Sequence, residues 1–168
     1  MRIFLIGFMG SGKTHWGKLL SRHMQLPFYD LDEEIVKIEK NSIQQIFHEK
    51  GEEYFRIKEH EVLEALAEDH KAVIISTGGG TPCYFNNIEF MKSKGRVIWL
   101  NTSIDLLVQR LLKDKSSRPL IKNISDSELK TFIIKKLQGR KLYYEQADIL
   151  LQEDSLTLAS FIKSIQHA

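Results

Sequence analysis

Short apolar runs alternate with longer amphipathic segments along the chain. The runs predict strands at residues 3–6, 26–30, 73–76, 96–100 and 149–151. The amphipathic segments predict helices near residues 12–24, 32–40, 52–68, 104–112 and 156–165, and a long one from Ser125 or Asp126 to about residue 145. Ser42 and Gln45 have the spacing of a capping box ahead of residues 52–68. This alternation predicts an α/β fold with a parallel sheet that helices cover on both faces.

One polar segment, residues 114–123, does not fit the alternation. It contains Arg118 and Pro119 and lies between two predicted helices. Loops of this length are often lids or binding loops. The chain has no internal repeat, low-complexity tract or linker, and its 168 residues fit one domain, residues 1–168, better than two.

Composition narrows the classes of function. The chain has 24 Lys+Arg and 22 Asp+Glu, which argues against a dedicated nucleic-acid binder, because these usually carry a clustered basic excess. No stretch approaches the ~20 apolar residues of a membrane span, and the apolar run at the N-terminus is too short for a signal peptide. Cys83 is the only cysteine, so an intrachain disulfide is excluded. We expect a cytoplasmic protein that binds neither nucleic acid nor membrane.

A phosphate-binding motif follows the first predicted strand. Residues 7–14 read G-F-M-G-S-G-K-T and fit G-x-x-x-x-G-K-[ST], with a strand before and a helix after. Such a loop turns its backbone N–H groups toward phosphate oxygens. Its Lys13 reaches the β- and γ-phosphates, and its Thr14 places a hydroxyl on Mg²⁺. The predicted nucleotide-binding residues are Gly10, Ser11, Gly12, Lys13 and Thr14. GTPases, ATP-driven motors and nucleotide-binding modules share this loop, so the loop alone does not identify the function. The residues that would bind a phosphate acceptor have to distinguish these classes.

Two acids, Asp30 and Asp32, end the second predicted strand. The carboxyl ends of parallel strands face the ligand crevice, so one acid can lie near a metal and the other near a substrate. Asp32 has a second interpretation, as the N-cap of the next helix.

Arg56 and Glu59 have the i, i+3 spacing of a helical ion pair. At a surface such a pair is worth under ~1 kcal/mol. An arginine held rigidly by a carboxylate also suits a substrate carboxylate, because its fork offers two parallel donors.

The glycine triplet Gly78, Gly79 and Gly80 follows another buried strand and would expose backbone N–H groups at the crevice; a flexible turn is the alternative. Arg118 could close over a transferring phosphoryl group as a lid arginine. Arg140, late in the long helix, could be a second substrate clamp. Each arginine alone also fits a solvated side chain.

Together these motifs make the chain resemble the shikimate kinase family. The segments G-F-M-G-S-G-K-T, D-L-D, G-E-x-x-F-R-x-x-E, T-G-G-G, R-P-L and R-x-x-x-Y run in the family's order from Gly7 to Tyr144. The resemblance implies a three-layer P-loop fold of the nucleoside-monophosphate-kinase type, with a five-stranded parallel sheet. It also implies an acceptor region at about residues 32–62 and a lid at about 113–125. The implied reaction converts ATP and shikimate to ADP and 3-phosphoshikimate, on the route to chorismate and the aromatic amino acids.

The resemblance further implies roles for individual residues. Shikimate would be held by Asp32, Arg56, Arg140 and the glycines 78–80, with Phe47 and Phe55 lining its pocket. Thr14 would bind Mg²⁺ directly and Asp30 through water. The expected catalytic residues are Lys13, Asp32 and Arg118, and Arg118 would also bind ATP as the lid arginine. Asp32 would either accept the proton of the attacking hydroxyl or only orient it.

Two segments depart from the family pattern. The loop that touches adenine should fall near residues 152–155, without a residue-by-residue match. Thr81, Pro82 and Cys83 follow the glycines where a more apolar run is expected. We expect a monomer whose partners are ATP, ADP and shikimate, with Mg²⁺ as cofactor. The alternatives are another small-molecule kinase, for gluconate or a nucleotide, and a nucleotide-binding domain without turnover.

Overall fold

The computed structural model describes residues 1–118 and 120–166; Pro119 of the predicted lid, His167 and Ala168 lie outside the described residues. The strands are β1 Arg2–Ile6, β2 Phe28–Asp30, β3 Val73–Ser76, β4 Arg96–Asn101 and β5 Ile149–Gln152. The α-helices are α1 Lys13–Met24, α2 Leu31–Glu39, α3 Ile43–Asp69, α4 Asn87–Lys94, α5 Ile104–Lys113, α6 Asp126–Tyr144 and α7 Leu158–Gln166. Short 3₁₀ helices occupy Thr81–Cys83, Lys115–Ser117 and Glu153–Ser155.

The five strands form one parallel sheet in the order β2-β3-β1-β4-β5. In the centre of the sheet, Leu5 of β1 is in register with Ser76 of β3 and with Ile98 of β4. The segments that follow β1, β2 and β3 therefore start at the same edge of the sheet. These segments contain the phosphate loop (residues 7–14), Asp32 and the glycine triplet, and Asp30 ends β2 at this edge.

Side chains of β1 alternate between the two faces of the sheet, as the period of a strand requires. Phe4 and Ile6 pack with α2, α3 and α4 on one face, and Ile3 and Leu5 pack with α1 and α7 on the other. All four side chains are fully buried. The predicted fold, a parallel sheet of five strands covered on both faces, is confirmed.

The local predictions had mixed outcomes. The capping box is present: Ser42 N donates to Gln45 Oε1 at 2.8 Å, and Gln45 N donates to Ser42 Oγ at 3.2 Å. α3 breaks at Gly51, whose φ of 85° is left-handed. The short helix α4 was not predicted, and its N-cap residue Asn86 makes no side-chain capping bond among the residues that the structure describes. Part of the segment at 114–123 forms the 3₁₀ helix Lys115–Ser117. Within the described residues, no helix has the length and apolar character needed to cross a bilayer.

Candidate active site

The phosphate loop connects β1 to α1. Gly12, the N-cap of α1, has a φ of 82°, a left-handed conformation that favours glycine. Because glycine has no side chain, it cannot cap the first amides of α1. The first amides of a helix have no partners within the helix, and they carry the positive end of its dipole. The start of α1 is therefore a site where an anion can bind to backbone N–H groups.

The Lys13 side chain is buried and turns back over the loop. Its Nζ donates to the carbonyl oxygens of Gly7 at 2.8 Å and Phe8 at 2.9 Å. Burial lowers the pKa of Lys13 to about 8, although the nearby carboxylates of Asp30 and Asp32 oppose the shift. The ammonium group thus lies directly beside the anion site.

Asp30 connects the phosphate loop to α2. Its Oδ2 accepts a hydrogen bond from Thr14 Oγ1 at 2.7 Å, and its Oδ1 accepts one from the amide of Asp32 at 3.2 Å. Asp30 is the N-cap of α2, so the interpretation of Asp32 as the cap is wrong. The side chain of Asp32 is consequently available to the cleft.

Two cavities open along the cleft and share a wall. The first, of about 600 Å³, is lined by the phosphate loop, Asp30 and the start of α1. The second, of about 700 Å³, is lined by Phe47, Phe55 and other residues of α3, and by Arg140 of α6. The residues that line both cavities are Met9, Asp32, Gly78, Gly79 and Arg118. A ligand in one cavity can therefore reach a ligand in the other at this wall.

Asp32 is the acidic group of the shared wall. Burial raises the pKa of its carboxyl to about 7. The charges of Glu59 and Asp30 add to the shift, while Lys13 and Arg56 oppose it. An acid with such a pKa exchanges protons readily near neutral pH.

Arg56 and Glu59 form a buried ion pair and not a surface one. Arg56 Nη1 lies 2.8 Å from Glu59 Oε2, and their side chains are 9% and 0% exposed. The Arg56 guanidinium also lies 4.3 Å from the centre of the Tyr84 ring. The alternative of a weak, solvated pair is wrong, and Arg56 is a fixed cation in the wall of the second cavity.

The glycine triplet is explained by close packing against charged groups. A Cβ on Gly78 would lie 2.7 Å from Glu59 Oε1, and one on Gly79 would lie 3.0 Å from Arg140 Nη1. A Cβ on Gly80 would lie 2.8 Å from Arg56 Nη2. The triplet is therefore not a flexible turn, because each glycine makes room for a different charged side chain.

Arg140 enters the second cavity from α6. Its guanidinium lies 5.4 Å from the centre of the Phe8 ring. Its Nη1 is buried and has no hydrogen-bond partner within residues 1–118 and 120–166. One turn later, Tyr144 Oη donates to the Gly79 carbonyl at 2.5 Å, which ties α6 to the glycine triplet. An unpaired buried donor at this position suits an anionic ligand.

Arg118 lies on the shared wall, where the lid was predicted. Its Nε pairs with Asp114 Oδ2 at 3.1 Å. Ile121, three residues later, is fully buried against Phe8, Leu107 and Leu111. The predicted lid segment is thus anchored beside the phosphate loop, and Arg118 faces both cavities.

Sequence reasoning missed Arg110. Its Nη1 donates to the Gly10 carbonyl at 3.0 Å and lies 2.9 Å from Glu153 Oε2. Glu153 also accepts from Trp16 Nε1 at 3.1 Å and lines the first cavity, within the segment expected to touch adenine. A signal was available in the spacing along α5. Leu107 packs against Phe8 of the phosphate loop, and Arg110 follows Leu107 by three residues, so both lie on the side of the helix that faces the loop.

A phosphate loop that shares a wall with a cationic pocket, on a parallel sheet, defines the class of P-loop kinases that act on small molecules. The chain belongs to the shikimate kinase family, because the family model described as Shikimate kinase matches residues 9–168. The shikimate kinase of Azobacteroides pseudotrichonymphae is 43% identical over 164 residues, which cover 98% of this chain and 96% of that protein. That of Phocaeicola vulgatus is 45% identical over 155 residues, covering 92% of this chain and 88% of that protein.

Solved structures agree with this assignment. A crystal structure of shikimate kinase from Bacteroides thetaiotaomicron superposes with a TM-score of 0.92 at 39% identity, covering 99% of this chain and 97% of that one. The Acinetobacter baumannii enzyme, solved in complex with shikimate, gives 0.87 at 32% identity, covering 99% and 90%. A deoxyadenosine kinase from M. mycoides, at 17% identity and a TM-score of 0.57, covering 99% and 97%, shares the fold alone.

Proposed function

We propose that the protein transfers the γ-phosphoryl group of ATP to the 3-hydroxyl of shikimate, giving 3-phosphoshikimate and ADP. The observation that carries the proposal is the shared wall: a phosphate-binding loop opens on one side of Asp32, and a pocket with two fixed arginines opens on the other. Shikimate offers the matching groups, a carboxylate for the arginines and ring hydroxyls for the acid.

On the nucleotide side, the phosphates of ATP bind the amides of residues 10–14 at the start of α1. Lys13 exchanges its bonds to the Gly7 and Phe8 carbonyls for the β- and γ-phosphate oxygens. Their negative charge raises the pKa of Lys13 from the value of about 8 that burial imposes, which keeps the ammonium charged. Lys13 and Arg118 then offset the charge that develops on the transferring group.

Two residues, Thr14 at the start of α1 and Asp30 at the end of β2, fit a magnesium ion. The Thr14 hydroxyl and the Asp30 carboxylate are oxygen donors, and they lie 2.7 Å apart at the edge of the first cavity. Mg²⁺ prefers oxygen ligands and is usually held by one or two protein groups together with phosphate oxygens and water. Thr14 would bind the ion directly and Asp30 through water. The ion would supply further neutralisation of phosphate charge.

On the acceptor side, the shikimate carboxylate binds Arg56 and Arg140. Arg140 Nη1, which lacks a partner among the described residues, gains one, and the fork geometry of arginine favours a carboxylate. Asp32 binds the ring hydroxyls, and the backbone at Gly79 contacts the ring. Phe47 and Phe55, whose ring centroids are 4.7 Å apart, supply an apolar wall.

In the transfer, the 3-hydroxyl oxygen bonds to the γ-phosphorus while the bond from this phosphorus to the β–γ bridging oxygen breaks. The hydroxyl proton leaves for Asp32 or for water, and ADP keeps the bridging oxygen. Asp32 orients the hydroxyl in either case. Positioning and charge neutralisation carry most of such a reaction, and closure of residues 113–125 over both substrates would exclude water.

The direct test is acceptor-dependent release of ADP, measured with ATP and Mg²⁺ and with shikimate, gluconate or a nucleoside monophosphate as acceptor. We expect rapid release only with shikimate. A higher rate with gluconate or a nucleotide would assign a different acceptor, and ATP binding without acceptor-dependent release would leave a nucleotide-binding domain. We further propose that the protein works in the cytoplasm, where ATP is plentiful, and that it is a monomer. Light scattering in solution would measure its molar mass and so test the oligomeric state.

A further inference from the structure

In the wall of the second cavity, the carboxylate of Glu59 is held by a different donor on each oxygen. Oε2 accepts from Arg56 Nη1 at 2.8 Å, and Oε1 accepts from the Thr81 hydroxyl at 2.6 Å. Glu59 and Thr81 are both fully buried. Because a buried carboxylate needs a hydrogen-bond partner for its oxygens, the Thr81 hydroxyl completes the environment that Arg56 begins.

Thr81 is itself held rigidly. It opens the 3₁₀ helix Thr81–Cys83, and its amide donates to the Gly78 carbonyl at 3.2 Å. Its own carbonyl accepts from Asn87 Nδ2 at 2.9 Å, and Asn87 is fully buried at the start of α4. His60 contacts Asn87 Oδ1 at 2.7 Å on the other side. The hydroxyl therefore has a fixed position from which to hold Glu59.

The other partners of Arg56 are weaker. Glu52 Oε1 lies 3.4 Å from Arg56 Nε and 3.3 Å from its Nη2, and the Glu52 side chain is 56% exposed. These long contacts with an exposed group contribute little. The guanidinium also lies over the Tyr84 ring, 4.3 Å from its centre, which restricts its plane. The direction of its donors within that plane therefore depends mainly on Glu59.

We infer that Thr81 is a positioning residue for the acceptor site: its hydroxyl fixes one oxygen of Glu59, so that Glu59 holds Nη1 of Arg56 and leaves the other donors of the guanidinium for the substrate carboxylate. Without the hydroxyl, Glu59 Oε1 turns toward the Arg56 fork and competes with the substrate. The inference rests on the proposed assignment of Arg56 to the shikimate carboxylate.

The same contact explains a departure from the family pattern. A threonine follows the glycine triplet where a more apolar residue was expected, and the buried carboxylate beside it accounts for its hydroxyl. Gly78 makes room for the contact, because a Cβ there would lie 2.7 Å from Glu59 Oε1 and 3.0 Å from Thr81 Oγ1.

The test begins with a matched pair of variants. Thr81→Val replaces the hydroxyl with a methyl group of similar shape, and Thr81→Ser keeps the hydroxyl. We expect Thr81→Val to raise the KM for shikimate about tenfold, the size of effect that follows loss of a hydrogen bond to a charged group. The KM for ATP should change less than about twofold, and Thr81→Ser should restore the KM for shikimate. An equal rise of both KM values, or no rise, overturns the inference.

A double variant shows whether Thr81 acts through Arg56. If it does, Thr81→Val adds nothing to the KM for shikimate once Arg56→Ala is present. Independent effects that multiply in the double variant would mean that Thr81 acts by another route, and the inference would be wrong.

The outcomes separate this inference from the proposed function. If Arg56→Ala alone leaves the KM for shikimate unchanged, the acceptor assignment fails, and the role of Thr81 fails with it. If Arg56→Ala raises it and Thr81→Val does not, only the role of Thr81 is overturned. Should Thr81→Val not fold, Thr81→Ala removes the hydroxyl without adding bulk. Failure of both to fold, while Thr81→Ser folds, would make the hydroxyl a requirement of folding and overturn its positioning role.

Discussion

The two sides of the cleft are built in different ways. The nucleotide side uses the backbone of one continuous segment, residues 7–14, together with the first amides of α1. The acceptor side uses side chains from α2, α3, α6 and the segment after β3, which are far apart in the sequence. A backbone site made by one segment depends on the conformation of that segment, whereas a side-chain site depends on how distant elements pack. The variants below compare the two sides, in order of decreasing effect.

Lys13→Ala should have the largest effect. It removes the only side-chain cation of the phosphate loop, and we expect kcat to fall by about a thousandfold or more, since removal of one transition-state donor alone costs ~10²–10³ in rate. Steady-state ADP release measures kcat, and circular dichroism checks the fold. Lys18→Ala, at an exposed position of α1, is the control and should behave like the wild type. Substantial turnover in Lys13→Ala would remove Lys13 from the mechanism.

Asp32→Asn tests the wall between the two sides. The amide keeps the shape of the side chain but loses its charge and its ability to accept a proton. We expect kcat to fall by about 10²–10⁴-fold, the contribution of a general base. The thermal midpoint should not fall, because burial disfavours the charged form of this carboxyl. Glu33→Gln changes the neighbouring exposed acid and serves as the control. A near-normal kcat in Asp32→Asn would exclude Asp32 from the chemistry.

Arg56→Ala and Arg140→Ala test the acceptor side alone. Each removes a charge-assisted hydrogen bond worth ~1.5–3 kcal/mol, so we expect the KM for shikimate to rise about 10- to 150-fold. The KM for ATP should change far less, because the phosphate loop binds through other groups. Lys141→Ala, next to Arg140 but exposed on α6, controls for the loss of positive charge. If the KM values for shikimate and ATP rose equally, these arginines would not belong to the acceptor side alone.

Gly79→Ala should have the smallest of these effects. The added Cβ would lie 3.0 Å from Arg140 Nη1, so the guanidinium has to move by a few tenths of an ångström. We expect the KM for shikimate to rise about threefold to tenfold, given that a loss of about 1 kcal/mol changes an equilibrium fivefold. Gly139→Ala is the matched control: a Cβ there meets nothing within 4 Å, and alanine favours the helix.

The nucleotide side of the cleft was more predictable from the sequence than the acceptor side. The phosphate loop and the strand–helix order were predicted because they depend on local sequence and periodicity. The burial of the Arg56–Glu59 pair could not be predicted. Spacing on a helix shows that two residues are neighbours, but it does not show whether other elements of the fold cover them. Thr81 and Arg110 gave no decisive signal, because their partners Glu59 and Glu153 lie 22 and 43 residues away along the chain. The short helix α4 was missed because its 8 residues give too short an apolar pattern, although Asn86 and Glu89 have the spacing of a helix start signal.

We expect the two substrates to meet at the shared wall, beside Asp32, Gly78 and Gly79. A crystal structure with shikimate, Mg²⁺ and a non-hydrolysable ATP analogue tests it most directly. The shikimate carboxylate should lie within hydrogen-bond distance of Arg56 and Arg140, with the 3-hydroxyl directed from Asp32 toward the terminal phosphate. Shikimate bound elsewhere, with both arginines turned into solvent, would contradict it.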